Sequence, residues 1–306
     1  MTPSFDILVA GELNPDLILS GNAIPEFGQV EKLVDSADLT VGSSSAIFAC
    51  GAARLGLKVA FVGICGADLF GHFMLDELSG RGVDVSGVIV DPDQQTGLSV
   101  ILSGAQGDRA ILTHPGAIDC LQAEQVTDGL LLQARHIHVA SYFLQVSLQL
   151  GLPGLFQRAH TLGLTTSLDT NWDPSGVWHG FDKLLGNADI FLPNENEALA
   201  MTGEPTIEAA ADALGRKCGL VALKLGARGA LACRGKEFVR TEALPMQVVD
   251  TVGAGDSFDA GFLYGFLNGW GLEKTLRMGA VCGSISTRAA GGTSAQPTLD
   301  EAIQYL

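Results

Sequence analysis

Short apolar runs alternate with helical patterns along almost the whole chain. The runs that predict strands are 5–11, 58–63, 135–141, 165–169, 188–192, 219–225 and 229–233. The helical patterns cover about 44–56, 69–81, 122–132, 147–162, 206–216, 256–269 and 272–288. Alternation of this kind predicts an α/β fold, with a mostly parallel central sheet between two layers of helices.

Two segments interrupt the alternation, residues 12–40 and 96–115. Both contain short β-prone runs punctuated by Gly, Pro and Asp, and Thr96–Leu102 and Arg109–Thr113 around Ser103–Asp108 predict a hairpin. Structureless loops of this length are rare in compact domains. We therefore predict that both segments form a small β-sheet lid over the C-terminal edge of the main sheet, where open α/β sheets bind ligands.

Length and charge determine the size of the core and exclude several partners. With 306 residues and 47% hydrophobic content, the chain can bury a complete α/β core. One domain with an appendage fits this length about as well as two domains, and we predict a single domain over 1–306. Lys and Arg number 18 against 34 Asp and Glu, a formal charge of −16. A chain this acidic repels nucleic acids and anionic membranes, so we expect neither as a partner.

The cysteines and the first residues indicate a cytoplasmic protein. Six cysteines are scattered without a CxxC pair, mostly in apolar surroundings, which is typical of buried, reduced thiols. The chain begins without a basic flank and enters a strand-like Ile-Leu-Val-Ala run, so we expect no signal peptide. No run of 18 apolar residues predicts a membrane span.

The segment Asp250–Phe258, DTVGAGDSF, carries the strongest chemical signal. Three phenylalanines follow at the spacing of one helical face, so the segment opens a helix. Gly253 and Gly255 let the backbone turn sharply and leave amide groups that attract an anion. Asp256 adds a carboxylate beside this anion cradle, as transfer of a phosphoryl group to a hydroxyl requires. The alternative is an N-cap aspartate, which stabilises a helix by ~1 kcal/mol without any catalysis.

The same nine residues resemble the C-terminal signature of the ribokinase-like (PfkB) carbohydrate kinases. Further family motifs are matched in the family's order by Gly42–Ala49, Val62–Gly71, Asn194–Glu197 and Leu223–Ala230. The resemblance implies a ribokinase-like three-layer α/β/α fold, with ATP as phosphoryl donor and Mg²⁺ as its ion. It also implies that Asp256 is the catalytic base and that the amides of Gly253, Ala254 and Gly255 form the anion hole.

The candidate acceptor site lies near the first strand and the first helix. Gly11–Asp16 follows that strand, where a carboxylate can accept two sugar hydroxyls, although Asn-Pro-Asp is also common turn chemistry. The resemblance favours acceptor binding by Asn14, Asp16, Gly42, Ser43, Ser44 and Ile47. Ile47 replaces an Asn of the family that helps to hold the sugar, which disfavours a ribose-type contact pattern. We expect Ser43 or Ser44 to contact the acceptor and Ser45 to cap the helix.

The nucleotide side is implied by two later motifs. Asn194 and Glu197 match an Asn-x-x-Glu motif that orders Mg²⁺ through water, and the alternative is an Asn cap followed by acidic first-turn residues. Lys224 replaces a small hydroxyl residue and either clamps a phosphate or points to solvent. Further nucleotide contacts are expected from Asn187, Gly226, Gly229, Thr251, Gly253 and Gly255.

Three further features of the sequence bear on the predicted ion site and on the acceptor. Thr287–Gly292 resembles the closing loop of the family, which implies a K⁺ site built from Asp250, Val252, Arg288 and Gly291. Asp173 stands where the family usually has an Arg, which makes an acidic acceptor less expected. Arg109 and His114 lie in the lid segments and are candidate substrate contacts.

We therefore predict an ATP-dependent sugar kinase (EC 2.7.1.-) in which Asp256 removes a proton from a hydroxymethyl group. A nucleoside kinase of the same family is the first alternative, but Phe27 is the only aromatic residue in the two lid segments. A non-catalytic sugar or nucleotide sensor is the second, and it would have been favoured by loss of Asp256 or of the glycines. An NAD-dependent dehydrogenase is disfavoured because no GxGxxG follows the first strand.

The lid segments also predict an assembly. They contain more apolar residues than one small sheet needs to bury, namely Val30, Leu33, Val34, Val100 and Leu102. In relatives within the family, two subunits associate through their lids. We therefore expect a homodimer that forms through the lid.

Overall fold

The computed structural model describes residues 3–104, 109–178 and 180–306. The first strands are β1 (Ile7–Ala10), β2 (Pro15–Gly21), β3 (Ser36–Val41), β4 (Val59–Val62), β5 (Ile64–Gly66), β6 (Val83–Asp84), β7 (Ile89–Asp91), β8 (Leu98–Gly104) and β9 (Arg109–His114). The later strands are β10 (His136–Val139), β11 (Thr165–Leu168), β12 (Ile190–Phe191), β13 (Leu220–Lys224), β14 (Ala230–Arg234) and β15 (Glu237–Thr241).

The α-helices lie between these strands and after the last of them. They are α1 (Ser44–Arg54), α2 (Leu69–Gly80), α3 (Asp128–Leu131), α4 (Val146–Thr161), α5 (Phe181–Leu185), α6 (Glu195–Thr202), α7 (Ile207–Gly215), α8 (Ala254–Leu267), α9 (Leu272–Ser286) and α10 (Leu299–Ala302). Short 3₁₀ turns occur between several elements, including Gly226–Arg228 between β13 and β14.

The main sheet has nine strands in the order β15-β14-β13-β12-β11-β10-β1-β4-β6. The strands from β13 through β6 pair in parallel, whereas β14 and β15 join antiparallel at one edge. The mostly parallel sheet that the sequence predicted is confirmed. Because parallel strands end at the same edge, the segments that follow β1, β11, β12 and β13 are brought together there.

Helices cover both faces of this sheet. Along β1, Ile7 and Val9 belong to one buried cluster, and Leu8 and Ala10 belong to the other. The first cluster includes side chains of α1, α8 and α9, and the second includes side chains of α4 and α7. Burial on both faces explains why the strand is apolar at every position, as is typical of a central parallel strand.

The lid is a separate four-stranded sheet in the order β3-β2-β8-β9. Strands β2 and β8 pair in parallel at its centre, and β3 and β9 pair antiparallel with them at its edges. These strands come from the two segments that interrupted the alternation, so the predicted lid is confirmed. The predicted hairpin is formed by β8 and β9, and its turn at 105–108 lies outside the described residues.

The helix predicted over 122–132 is wrong in extent, because only α3 forms there. Thr127 is the N-cap, and its hydroxyl accepts from the amide of Leu130. Upstream, the side chain of Gln125 accepts from the amide of Gln122, so a polar turn replaces the first helical turns. The sequence also missed several short elements, because two to eight residues are too few for a clear period. These elements are β5, β6, β7, β15, α5, α6 and α10.

Two further observations concern the thiols and the helices. All six cysteines are unpaired; five are buried and Cys120 is half-buried. Among the helices of the described residues, none combines the length and the apolar character needed to span a bilayer.

Candidate active site

Helix α8 begins with a glycine turn at the edge of the main sheet. Gly253 has a φ of 70°, and a β-carbon there would lie 2.6 Å from the Cα of Gly292, so only glycine fits. Within the described part of the chain, no side chain caps this helix. The amide of Ala254 makes only a long bond of 3.3 Å, to the carbonyl of Thr251. The start of α8 therefore has the exposed donors that an anion site requires.

Asp256 is the third residue of α8, and its side chain is 8% exposed. Gly253 occupies the N-cap position, so the N-cap interpretation of Asp256 is wrong. Burial raises the pKa of Asp256 well above its ordinary value, and Asp169 and Glu12 raise it further. Lys224 and a hydrogen bond with Ser44 act in the opposite direction. The carboxylate thus lies where its protonation depends on its charged neighbours.

Glu12, which the sequence had not singled out, is buried at the end of β1 and connects several elements. One of its carboxylate oxygens accepts from the hydroxyl of Ser141 at 2.7 Å, and the other accepts from the hydroxyl of Ser45 at 2.5 Å. The amide of Asn171 donates to the hydroxyls of Ser44 and Ser141, both at 2.8 Å. The network therefore joins the ends of β1, β10 and β11 to the start of α1.

Ser43, and not Ser45, is the N-cap of α1. Its φ is 66°, and its hydroxyl accepts from the amide of Ala46 at 3.0 Å and donates to the carbonyl of Glu12 at 2.7 Å. The predicted capping role of Ser45 is wrong, because its hydroxyl is bound to the carboxylate of Glu12. Ser44 is half-buried, and its side chain hydrogen-bonds to the carboxylate of Asp256.

Asp16 lies in β2, where the lid meets the main sheet, and its side chain is buried. Burial raises the pKa of Asp16 to about 7, and the nearby Asp250 contributes to the rise. Gly42 lies directly against this carboxylate, since a β-carbon on Gly42 would overlap it. Asn14 is buried just before β2, and its amide makes a 3.4 Å bond to the carbonyl of Pro15. The structure thus brings three predicted acceptor residues together.

Ile47 has a supporting position in α1. Its side chain is 3% exposed, and a β-carbon on Gly253 would lie 2.9 Å from its Cγ2 atom. The carbonyl of Ile47 accepts from the side-chain amide of Gln296 at 2.9 Å. Ile47 therefore packs under the glycine turn of α8, whereas the sequence predicted a contact with the acceptor.

Lys224 is the last residue of β13, and it does not point to solvent. Its ammonium donates to Asp169 at 3.0 Å and to Asp259 at 3.1 Å. Carboxylate oxygens of Asp169, Asp256 and Asp259 lie within 4.8 Å of one another. The ammonium of Lys224 places one positive charge against this group of carboxylates. The four side chains are called the catalytic floor below.

Neither Asp169 nor Asp259 was predicted from the sequence as a site residue. A signal for Asp259 was nevertheless present, because it follows Asp256 by three residues and so lies on the same face of α8. Asp169 follows β11 directly, and a carboxylate at the end of a buried parallel strand is also a readable signal.

Asn194 and Glu197 form a capping box at the start of α6. The side chain of Asn194 accepts from the amide of Glu197 at 3.0 Å, and the Glu197 carboxylate accepts from the amide of Asn194 at 2.9 Å. Burial and the neighbouring Asp169 raise the pKa of Glu197 to about 7. The capping alternative is confirmed. A backbone bridge between Asn194 and Lys224 places the box at the same edge as the catalytic floor.

Asn187 lies away from this edge. It precedes β12, and its side chain donates to the carbonyl of Lys183 at 2.7 Å. Asn194 follows the same strand at the opposite end. Because the two ends of a strand reach opposite edges of the sheet, the predicted phosphate contact of Asn187 is wrong.

Residues predicted for a monovalent cation are partly brought together. The carboxylate of Asp250 accepts from the amides of Val252 and Gly291, each at 3.0 Å. The guanidinium of Arg288 pairs instead with Glu301 at 2.7 Å. Three of the four predicted residues therefore meet at one junction, and the side chain of Arg288 points elsewhere.

The lid reaches the same junction through Arg109. Its guanidinium donates to Thr251 at 3.1 Å and contacts Asp250 at 3.4 Å. On the nucleotide side, Gly226 and Gly229 flank the turn between β13 and β14. The lid is thus connected to the loop that leads into α8.

Comparison with known proteins identifies the family. The family model of the pfkB family carbohydrate kinases matches residues 4–299. A 2-dehydro-3-deoxygluconokinase of Bacillus subtilis (strain 168) is 31% identical over 295 residues, which cover 92% of this chain and 90% of that protein. The chain therefore belongs to the pfkB family of carbohydrate kinases. It is an ATP-dependent sugar kinase, as the sequence predicted.

Solved structures agree on the fold. Ribokinase II from E. coli, in complex with ATP and Mg²⁺, matches with a TM-score of 0.87 at 23% identity, over 98% of each chain. The ribokinase of Arabidopsis thaliana, in complex with ribose and ATP, matches with a TM-score of 0.86 at 23% identity, over 99% of this chain and 98% of that one. The ribokinase-like fold is therefore confirmed.

Proposed function

We propose that this kinase transfers the γ-phosphoryl group of ATP to a hydroxymethyl hydroxyl of a small neutral carbohydrate, with Asp256 as the general base. The observation that carries the proposal is the buried carboxylate of Asp256 directly beyond an uncapped glycine turn. A base and anion-binding amides within one helical turn are the two parts that phosphoryl transfer to a hydroxyl needs.

In the proposed reaction, the acceptor oxygen attacks the γ-phosphorus in line with the leaving oxygen of ADP. Asp256 accepts the hydroxyl proton as the new P–O bond forms and the P–O bond to ADP breaks. The amides of Gly253, Ala254 and Gly255 donate to the phosphoryl oxygens, where negative charge develops. Charge stabilisation and positioning provide most of the rate enhancement, and a general base typically adds ~10²–10⁴-fold.

The ions have candidate positions at the same edge. Mg²⁺, when bound with the nucleotide, supplies positive charge to the phosphates. Both carboxylate oxygens of Glu197 accept from Asn194, so an ion at this pair would be held through water and not by direct ligation to Glu197. The junction of Asp250, Val252 and Gly291 is the candidate K⁺ site. Activity that is unchanged when K⁺ is replaced by tetramethylammonium would contradict the K⁺ site.

The acceptor side favours a neutral polyol. Asp16 and Asn14 provide buried hydrogen-bonding groups at the lid, and Ser44 adds a hydroxyl beside the base. Asp173, at the position of the family's Arg, binds the backbone amides of its own loop, for example that of Trp178 at 2.8 Å. A sugar acid needs a cation for its carboxylate, and the ammonium of Lys224 is already held by two aspartates.

A nucleoside is the second candidate acceptor, and one observation favours it. Trp172 follows β11 at the substrate edge and is 56% exposed. Its ring packs edge-on against Trp178 at 4.9 Å, and Trp178 packs against Phe143 at 5.1 Å. The adjacent Asn171 belongs to the network of Glu12. An exposed, supported aromatic ring can stack on a base, which the lid segments alone did not provide.

We also propose that the lid forms a homodimer. The exposed apolar side chains on it include Phe27 at 100%, Leu33 at 84% and Leu112 at 63%. Val100 and Leu102, predicted to contribute, are half-buried in β8. In light scattering, Leu112→Lys should give a monomer, whereas Leu69→Lys, at an exposed apolar position of α2, should not. A monomeric wild-type protein would contradict the proposal.

The acceptor is tested by an ADP-release assay with Mg-ATP and K⁺. The panel contains pentoses, hexoses, sugar acids, sugar phosphates and nucleosides. A strong neutral sugar supports the proposal. Turnover of 2-dehydro-3-deoxygluconate, the acceptor in the name of the B. subtilis relative, would instead identify a sugar acid kinase. Turnover of a nucleoside would establish the second candidate.

The role of Asp256 is tested separately. Asp256→Asn should retain ATP binding and lose at least ~10²-fold in kcat, because the base is removed while the fold is kept. The control is Asp76→Asn, which changes an exposed carboxylate on α2. Turnover of Asp256→Asn within a few-fold of wild type would remove Asp256 from the base role.

A further inference from the structure

Lys224 is held at the centre of the catalytic floor. Its side chain is 12% exposed, and those of its partners Asp169 and Asp259 are 3% and 1% exposed. A β-carbon on Gly255 would lie 3.5 Å from the Lys224 Nζ atom. The ammonium is therefore fixed between two aspartates and directly beside the glycine turn that begins α8.

The catalytic floor contains one cation for three carboxylates. Asp256 is the member that the proposed reaction uses, and its oxygens lie within 4.8 Å of those of both Asp169 and Asp259. A buried carboxylate without a nearby positive charge takes up a proton instead of remaining ionised. A protonated Asp256 could not accept the hydroxyl proton of an acceptor, so a base at this position needs a fixed counter-charge.

We propose that Lys224, held by Asp169 and Asp259, is a positioning residue that fixes a positive charge beside Asp256 and favours the ionised form of that carboxylate, against the effect of its burial. This inference rests on the proposed function, because it takes Asp256 as the base. It differs from a phosphate clamp, in which the same ammonium would bind the nucleotide. It also gives Asp259 a role, as an anchor for the ammonium.

The groups that face Asp256 come from several elements. Glu12 follows β1, Asp169 follows β11, Lys224 ends β13, and Asp259 lies one turn further along α8. Burial raises the pKa of Asp256, and Asp169 and Glu12 act in the same direction. Lys224 and the Ser44 hydrogen bond lower it. Within the described residues, Lys224 is the cation that interacts with this carboxylate.

The charge on Lys224 is itself secured by its anchors. Burial alone would lower the pKa of Lys224, but Asp169 and Asp259 raise it above the ordinary lysine value. His138, buried near the ammonium, is kept neutral because burial lowers its pKa well below the ordinary value. The positive charge beside Asp256 is therefore present at every pH at which the activity would be measured.

The experiment is the pH profile of kcat at saturating ATP and saturating acceptor. Lys224→Met retains the length of the side chain and removes its charge. The acid limb of the profile should move upward by about 1–3 pH units, because the base now protonates at higher pH. At pH 6, kcat should fall by about tenfold or more, and it should recover towards wild type at alkaline pH. Lys224→Arg, which retains the charge, should keep the acid limb close to that of wild type.

Two outcomes would overturn the inference. An unchanged acid limb with a raised KM for ATP would identify a phosphate clamp. An unchanged acid limb with unchanged KM and a lower melting temperature would identify a purely structural ion pair. If Lys224→Met does not fold, Lys224→Gln, which removes the charge and retains a polar side chain, replaces it, and an upward shift of its acid limb is again expected.

The result can be separated from a failure of the proposed function. An active Asp256→Asn variant would show that the base is assigned wrongly, and the inference would fail with it. An inactive Asp256→Asn variant together with an unchanged acid limb in Lys224→Met would overturn only the inference about Lys224.

Discussion

The catalytic floor and the lid place their carboxylates in different surroundings. In the catalytic floor, Asp256 lies beside an ammonium that two other aspartates hold in place. In the lid, Asp16 is also buried, but the charged neighbour that affects it is another carboxylate, Asp250. The floor therefore contains a positive charge, the ammonium of Lys224, before any substrate binds. The carboxylate of Asp16 can instead accept hydrogen bonds from the hydroxyls of an acceptor.

The catalytic floor and the lid also differ in how deeply the strands that carry them are buried. The floor lies at the ends of buried parallel strands, and its geometry is set by packing on both faces of the main sheet. The lid has one strand, β9, that is exposed along its whole length. We therefore infer that the two regions have different roles: the main sheet positions the reacting groups, and the lid selects the acceptor. The four predictions below test this inference.

The largest effect is expected from Gly253→Ala, which alters the floor. The residue has a φ of 70°, and the new β-carbon would lie 2.6 Å from the Cα of Gly292. The turn must therefore shift, and loss of a donor to developing charge costs on the order of 10²–10³-fold in kcat. The control is Gly271→Ala, at the N-cap of α9, where φ is −61° and the structure leaves room. Equal activities of the two variants would contradict the anion-hole role of this turn.

Asp16→Asn tests the lid carboxylate through stability. Because the folded pKa of Asp16 is raised to about 7, folding favours its protonated form. Its stabilising contribution is complete below the unfolded value of 3.8 and is lost as the pH rises through about 7. Asp16→Asn should therefore be more stable than wild type at pH 8, by at most about 4 kcal/mol, and the difference should shrink towards pH 4.

The measurement for Asp16→Asn is urea denaturation at pH 4, 6 and 8. Asp38→Asn, an exposed carboxylate of β3, is the control and should show no such trend. In kinetics, Asp16→Asn should raise KM for the acceptor more than KM for ATP. A rise only in the KM for ATP would contradict the role of Asp16 in binding the acceptor.

Ser45→Ala tests the Glu12 network, which joins the ends of β1, β10 and β11 to the start of α1. The variant removes the hydroxyl that donates to Glu12 at 2.5 Å and leaves a buried carboxylate oxygen short of a partner. We expect a loss of about 1–3 kcal/mol in the free energy of unfolding. Ser79→Ala, at an exposed position near the end of α2, is the control. Equal midpoints of denaturation would contradict a structural role for the Glu12 network.

The smallest effect is expected from Asn194→Ala. A matched variant at the N-cap of another helix separates the effect on ATP from the loss of stability. Asn194 caps α6 at the site, and Thr206 caps α7 elsewhere. Each alanine variant should lose about 1 kcal/mol of stability through the lost cap. Only Asn194→Ala should also raise the KM for ATP. If both variants left nucleotide kinetics unchanged, the Mg²⁺ role of Asn194 would be rejected.

Much of the fold could be read from the chain because its local patterns agree with its topology. β1 is apolar at every position since both of its faces are buried, and the two lid segments were recognisable because they broke the helical alternation. The extent of α3 could not be predicted, since local side-chain bonds around Thr127 compete with helix formation.

The site was only partly readable for a related reason. Asp256 and the glycines form one continuous segment, so their chemistry is visible in nine residues. The partners of Asp256 are distant in sequence, because Asp169, Lys224 and Glu12 are brought together only where parallel strands end. Asn187 shows the converse, since a residue that precedes a strand is carried to the opposite edge of the sheet.

The sequence by itself determined the fold class, the family and the importance of the segment Asp250–Phe258, because these depend on periodicity and on contiguous motifs. Only the tertiary structure decided that Lys224 is a buried counter-ion, that Ser43 caps α1 and that Asn194 and Glu197 bond to each other. The physical reason is that a side chain's charge and hydrogen bonds depend on what packs against it, and strand order brings those partners from distant parts of the chain.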